Sequence, residues 1–296
     1  MMGNAQIVVG VDGSGTGMQA LRWAAAEADR RGAELVIAHA SGAGTGPPST
    51  EDRSTGGRES LAAVHEAGTA YQVGTVIAAE NPVQLLTRLS EQAELLVVGS
   101  QGLSRQSRTL LGDVAFRVAA YARCPVAVVR LGWDEQAQSG KPVVVGIPAS
   151  PPAADPLHAA FAEARTRGVP IRAVRAWSRV DWTGDLADLV YATSPVLQAK
   201  QQDYVDRVLA PLRALFADVP VQTVLSGKRI DEVMQAATVD ARLLVLGSRY
   251  PDGHSYSRLG VTTSRLIHRM ACPTLVVGRA PRPAHGATTP PVRLAG

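Results

Sequence analysis

Two stretches of this chain match each other at a fixed distance, and that limits the fold more than any other feature. Leu95 to Ser100 (LLVVGS) returns as Leu243 to Ser248 (LLVLGS). Leu111-Gly112 returns as Leu259-Gly260, and the run opened by Cys124-Pro125 returns at Cys272-Pro273, all at an offset of 148. Earlier landmarks match at an offset of 136: Ile7 to Val11 with Val143 to Ile147, and Gly32 with Gly168. The second copy therefore carries 12 additional residues in its middle. A period this long is not a solenoid repeat. In a chain of 296 residues it implies two tandem domains of ordinary size. The expected division is 1–132 and 141–279, with 280–296, rich in proline and without periodicity, as a disordered tail.

Each copy alternates strand and helix. Ile7 to Val11 is a short, β-branched apolar run of the kind buried in parallel sheets. A Gly/Ser turn follows at Gly13 to Gly17. Met18, Leu21, Ala25 and Ala28 then recur at helical spacing, and Gly32 stands where a helix C-cap belongs. Glu34 to Ala40 reads as a second strand, residues 41–58 as a loop and Glu59 to Ala67 as a helix. Tyr71 to Ala78 reads as a third strand. Pro82 opens a helix, where proline is tolerated. Leu95 to Val98, a helix from about Asp113 to Tyr121, and Val126 to Arg130 complete the copy. Five strands alternating with helices imply an α/β fold, a parallel doubly wound sheet in each domain.

Composition excludes several classes of function. Thirty Lys and Arg against 26 Asp and Glu give a charge of +4, spread along the chain, and aromatic residues are only 4%. Neither a basic stripe nor a base-stacking platform is present, so no nucleic-acid partner is expected. Two cysteines exclude a disulfide scaffold and a Cys-rich zinc site. No apolar run approaches the ~18 residues of a membrane span, and the N-terminus lacks a signal-type core. The expectation is a cytoplasmic protein without a membrane partner.

Open α/β sheets bind ligands beyond the carboxyl ends of their strands, where strand order reverses. If the first strand neighbours the fourth, Asp12 meets there the loop Gly99-Ser100-Gln101-Gly102, which leads nine residues later to Gly112-Asp113 and a helix. Glycines let backbone N–H groups turn toward an anion, and a helix start adds partial positive charge. Phosphate binding is the natural reading. Arg105 and Arg108 are the nearest cations in sequence, with solvated charge as the plainer alternative. Gly13, Gly15 and Gly17 do not have dinucleotide-loop spacing, and neither Gly140-Lys141 nor Gly227-Lys228 completes a P-loop.

Val-Val-Gly-Ser ending at Ser100, Gly-x2-Gly-x9-Gly from Gly99 to Gly112, the Cys124-Pro125 strand and the opening Val8-Val9-Gly10-Val11-Asp12-Gly13-Ser14 together resemble the universal stress protein family. Both copies resemble it, in a layout similar to tandem actinobacterial members. The resemblance implies Rossmann-like domains, akin to adenine nucleotide alpha hydrolases, with strand order 3-2-1-4-5 and pairing of the last strands between domains. It implies an ATP cofactor, with or without Mg²⁺. The adenine would lie near Asp12 and Ala40 and the phosphates on the glycine loop. The cofactor-binding candidates are thus Gly10, Asp12, Ala40, Gly99, Gln101, Gly102, Arg105, Gly112, Asp113 and Val114. Asp113 departs from the family's Ser or Thr; a carboxylate there repels phosphate unless it is protonated or a cation bridges it, and it can equally serve as an ordinary negative charge at a helix N-terminus. In the second copy Tyr250 replaces the middle glycine, Val261 the hydroxyl residue and Pro148 stands for Asp12. That copy reads as a degenerate domain that no longer binds ATP in the family manner.

Plainer roles stand beside these. Asp12 can order the turn, His39 can be a core or edge histidine, and Cys124 and Cys272 read as buried structural thiols. Trp177, Trp182, Tyr191 and Tyr204 near the insertion read as core or interface. The expected function is an ATP-binding stress-response or regulatory protein, with binding mainly in the first domain. No catalytic residues are assigned, and at most slow ATP hydrolysis is expected. The alternative is an interaction module in which both loops have lost the nucleotide. The expected assembly is a homo-oligomer or an intramolecular pseudo-dimer.

Overall fold

The computed structural model describes residues 5–40, 71–102, 111–149, 155–178, 194–248, 259–270 and 272–278. The expected helix at Glu59 to Ala67, the tail 280–296, Trp182 and Tyr191 lie outside them. The first half contains β1 (Gln6–Gly10), α1 (Gly15–Arg31), β2 (Glu34–Ala40), β3 (Val73–Ala78), α2 (Pro82–Leu89), β4 (Leu95–Gly99), α3 (Asp113–Tyr121) and β5 (Val126–Val129). The second half repeats the pattern as β6 (Val143–Gly146), α4 (Asp155–Arg167), β7 (Ile171–Ser178), α5 (Pro195–Leu215), β8 (Val221–Arg229), α6 (Ile230–Thr238), β9 (Leu243–Gly247), α7 (Val261–Arg269) and β10 (Thr274–Val277).

All ten strands form one sheet in the order β3-β2-β1-β4-β5-β10-β9-β6-β7-β8. Each half is parallel with its strands ordered 3-2-1-4-5, as the family resemblance implies. The halves join where β10 runs antiparallel to β5, with Leu275 opposite Ala127. The central strands show no alternation of apolar and polar residues because both faces of the sheet are covered. Ile7, Val9, Leu35, Ile37, Leu95 and Val97 point to one face, and Val8, Val36, Leu96 and Val98 to the other. The first face packs under α1, α4 and α5 and forms one core continuous through both halves. The opposite face carries two clusters, one beneath α2 and α3 and one beneath α6 and α7.

Helix α1 begins three residues earlier than its apolar spacing suggests. Ser14 caps it, its Oγ accepting from the Gly17 amide at 3.0 Å. Gly32 ends it at φ 61°, a left-handed conformation suited to glycine, and Gly168 repeats this at φ 62° in the second copy.

The helices facing each other across the junction carry the same pair in both copies. Glu27 and Arg31 of α1 stand at the offset of 136 from Glu163 and Arg167 of α4. Arg31 donates to Glu27 on its own helix at 3.0 Å and to Glu163 on the other at 2.6 Å. Arg167 in turn binds its own Glu163 and the Glu27 of α1. The contact is thus self-complementary about a pseudo-two-fold axis. The side chains of Glu27 and Arg167 are 1% and 2% exposed. Burial works against the charge on Arg31, but Glu163 and Glu27 outweigh it and hold its pKa above the ordinary arginine value. The connecting segment is fastened to the same assembly. Glu135 pairs with Arg30 of α1 and Arg242 before β9, and the Trp133 carbonyl accepts from Gln19 at 2.8 Å.

Removing one partner of a buried ion pair strands the other charge, at a cost of about 3–5 kcal/mol. Arg167→Met should lower unfolding stability by that order in urea titrations. A change below about 0.5 kcal/mol would mean that the four side chains are not coupled.

Candidate functional site

Because β1 lies between β2 and β4, the connections after β1 and β4 leave the sheet on opposite faces, and a crevice opens between them. A cavity of about 490 Å³ occupies it, within the range of small-molecule sites. Nine of the ten sequence candidates line it: Gly10, Asp12, Ala40, Gly99, Gln101, Gly102, Gly112, Asp113 and Val114. The tenth, Arg105, lies outside the described residues, as does Arg108. The same cavity is walled by residues that the motif does not include: Val11, Gly17, Ala38, Pro82, Leu85, Leu86, Val98 and Ala115. Pro82, Leu85 and Leu86 belong to α2, whose apolar face is legible in the sequence as a helix but not as one wall of a site.

The local geometry explains several glycines. A Cβ on Gly99 would lie 2.7 Å from the Thr16 carbonyl carbon and 2.8 Å from its oxygen, so the end of β4 rests against the first turn of α1. Thr16 Oγ1 donates to the Gln101 carbonyl and tightens that contact. A Cβ on Gly102 would come within 2.8 Å of Asp12 Oδ2, and one on Gly17 within 2.9 Å of Asp12 Oδ1. Asp12 is therefore boxed by two glycines, and its Oδ1 accepts from the Ser14 amide at 3.0 Å. The carboxylate orders the turn while facing the cavity. His39 is buried on the opposite face of β2 and donates through Nδ1 to the Val11 carbonyl at 2.9 Å.

The glycine loop offers fewer amides than its motif suggests. Ser100 N–H donates to the Val129 carbonyl at 2.8 Å and Gly112 N–H to the Ser100 carbonyl at 2.7 Å. Those bonds hold the loop against β5 and α3. Among the described residues, open donors stand at the start of α3. Gly112 is its N-cap, no side chain caps it, and the amides of Asp113, Val114 and Ala115 fall in the turn that has no intrahelical acceptors. They border the cavity and carry the positive end of the helix dipole. Asp113 itself is 79% exposed and pairs with Arg117 one turn later at 3.7 Å. Among the described lining residues are two carboxylates and no cationic side chain.

The second copy departs at the matching positions. Pro148 has no carboxylate to offer, and its carbonyl accepts from Tyr204 of α5 at 3.0 Å. Arg175 stands where His39 stands in the first copy and donates to the Ile147 carbonyl at 3.3 Å, the counterpart of Val11. Its Nε also donates to Gln201, and its guanidinium lies over the Tyr204 ring at 5.4 Å. The strand end of the second copy is thus bonded to α5, and Tyr204, expected in the core or at an interface, packs against the core of its own chain. Gly247 faces Pro156, whose Cγ lies 2.9 Å from where a Cβ would be, instead of the glycine-bearing first turn that meets Gly99. Val261, in place of Asp113, is 69% exposed. Tyr250 lies outside the described residues.

The family model described as the universal stress protein family matches this chain twice, over residues 3–130 and 140–278. The chain belongs to that family. Universal stress protein Rv2005c of Mycobacterium tuberculosis is 32% identical over 288 residues, which cover 91% of this chain and 96% of that protein. A universal stress protein from Archaeoglobus fulgidus superposes with a TM-score of 0.65 at 17% identity, covering 94% of this chain and all of that one. A universal stress protein solved in complex with cAMP is 32% identical and covers 44% of this chain and 98% of its own, with a TM-score of 0.34.

Two tests follow from this geometry. Gly99→Ala drives a methyl group into the α1 backbone and should destabilise the first half by about 1–3 kcal/mol, read as an earlier urea transition. An unchanged midpoint would show that β4 and α1 part easily. The thiols give a second test. Burial pushes Cys124 and Cys272 up to about 12, since the charged thiolate is the disfavoured form. Iodoacetamide at about pH 7.5, below both thiol values, should leave both unmodified in the native protein and label both in denaturant, by intact mass. Of the two expected buried thiols, Cys272 is buried and Cys124 half-buried, and rapid native labelling of either would contradict the raised value of its thiol.

Proposed function

We propose that the first domain binds an adenine nucleotide, ATP, and that this universal stress protein is a nucleotide-responsive regulatory protein. The observation that carries this reading is the pairing, in one cavity, of an apolar slot with an uncapped helix N-terminus. Ala38, Ala40, Pro82, Leu85 and Leu86 provide a slot for a planar base, and Asp12 is the polar group beside it. The amides opening α3 provide the anion site, and Gly99 and Gly102 let the chain approach the phosphates closely. Arg105 remains among the proposed phosphate contacts. Mg²⁺ suits the two carboxylates, because it lowers the charge of a triphosphate and takes oxygen ligands. The second domain serves as the partner surface that buries the β5 edge. Hydrolysis, if present, falls below the ~1 per second of ordinary enzymes.

The two carboxylates and the absence of a cation among the described lining residues favour a second reading, an interaction module without nucleotide. Thermal melting separates the two. Saturating Mg-ATP at about 100 Kd contributes about 2.7 kcal/mol and should raise Tm by several degrees. Gly102→Val, which pushes into Asp12, should abolish the rise while leaving the unliganded Tm nearly unchanged. No shift at millimolar Mg-ATP would leave the interaction-module reading standing.

A further inference from the structure

We propose that Arg117, beside Asp113 on α3, is a phosphate-binding residue of the first domain, and that it recognises the terminal phosphates of a nucleotide di- or triphosphate. The inference rests on the nucleotide reading of the cavity and adds a residue that supplies positive charge at its rim. Asp113 borders the cavity at the helix start, and Arg117 lies one turn further along α3 on the same exposed edge. Side chains on a helix lean toward its N-terminus, so Arg117, which does not itself line the cavity, points back along α3 toward Asp113, which does. Its contact with Asp113 agrees with that direction: Nη1 lies 3.7 Å from Oδ2. That distance is an ion pair but too long for a hydrogen bond. The guanidinium, 51% exposed and carrying five N–H donors, can therefore turn a face to a phosphate while still facing the carboxylate.

This arrangement accounts for an acidic side chain where phosphate is to bind. Alone, Asp113 would repel the ligand. Paired, it stands beside a cation that offsets its charge, next to a cavity whose other carboxylate, Asp12, lies at the end of β1. Arg117 makes the contact, and its charge offsets that of Asp113. The second copy supplies an internal control. Arg265 occupies the matching position on α7, but Val261 stands in place of Asp113 and Pro148 in place of Asp12.

The difficulty for any test is that Arg117 also screens Asp113, so its loss could weaken ATP binding without any contact. Removing the carboxylate first separates the two effects. Full-length Asp113→Ser and Asp113→Ser/Arg117→Met are titrated with ATP by calorimetry, and with adenosine by competition, at low ionic strength. A charge-assisted contact predicts that the double variant binds ATP about tenfold more weakly than Asp113→Ser, with adenosine affinity unchanged. Arg265→Met in the otherwise unaltered protein should leave ATP affinity unchanged. Equal ATP affinity of Asp113→Ser with and without Arg117 would show that Arg117 only screens, and overturns the proposal. Parallel loss of ATP and adenosine would make its role structural and overturns it too. If neither ligand binds the unaltered protein or Asp113→Ser, the nucleotide reading itself fails, and the proposal with it.

Discussion

Where β5 meets β10, two parallel half-sheets that would each end in a row of unpaired N–H and C=O groups become one ten-stranded sheet. Both strands are only four residues long and fully buried, so the backbone ladder alone gives little purchase on the angle between the halves. The four charges of α1 and α4 supply it. Each arginine binds one glutamate on its own helix and one on the other, so sliding or rotating the helices leaves charges uncompensated in a dry site. A hydrophobic contact tolerates small shifts, and this one does not. The continuous core beneath α1, α4 and α5 depends on that alignment.

The same helix connects the junction to the cavity. The last turns of α1 hold Glu27, Arg30 and Arg31, while its first turn holds Thr16 and Gly17 against Gly99 and closes the back of the cavity. Glycines at both loop ends and an uncapped helix start occur in both domains, at Gly99, Gly112 and α3 and at Gly247, Gly260 and α7, but only the first keeps the boxed carboxylate and the middle glycine, Gly102. In the second, the equivalent strand end is bonded to α5 through Arg175 and Tyr204, and Pro156 rests on Gly247. Duplication gave two frames of the same topology, and different side chains at a few strand ends give them different chemistry. This asymmetry is what makes a binding domain paired with a supporting one a sound reading.

Much of this is legible in the chain. The repeat sets the domain count, and buried β-branched runs such as Ile7–Val9 and Leu95–Val98 mark the central parallel strands because a strand covered on both faces has no polar alternation. The glycine motif points to residues that do converge on one cavity. What stays hidden is non-local. Leu85 and Leu86 read as a helix face, and only the register of β1 beside β4 makes them a wall. Gly112 counts as an open amide in the motif, but Ser100 claims its N–H. Apolar spacing puts the start of α1 late, because three glycines look like a turn until Ser14 is seen to cap them. Glu27 and Arg31 look like an ordinary i,i+4 surface pair. Their match with Glu163 and Arg167 is present in the repeat, but nothing in either helix alone says that the two pairs face each other.

In the function proposed above, the nucleotide enters the first domain at the open end of α3 and not the matching place in the second. Amide hydrogen exchange of the full chain, with and without Mg-ATP, tests it residue by residue. Exchange should slow at Val11 to Gly17 and at Asp113 to Ala115, with Val261 to Thr263 unchanged. Equal protection in both halves, or none in either, would contradict it.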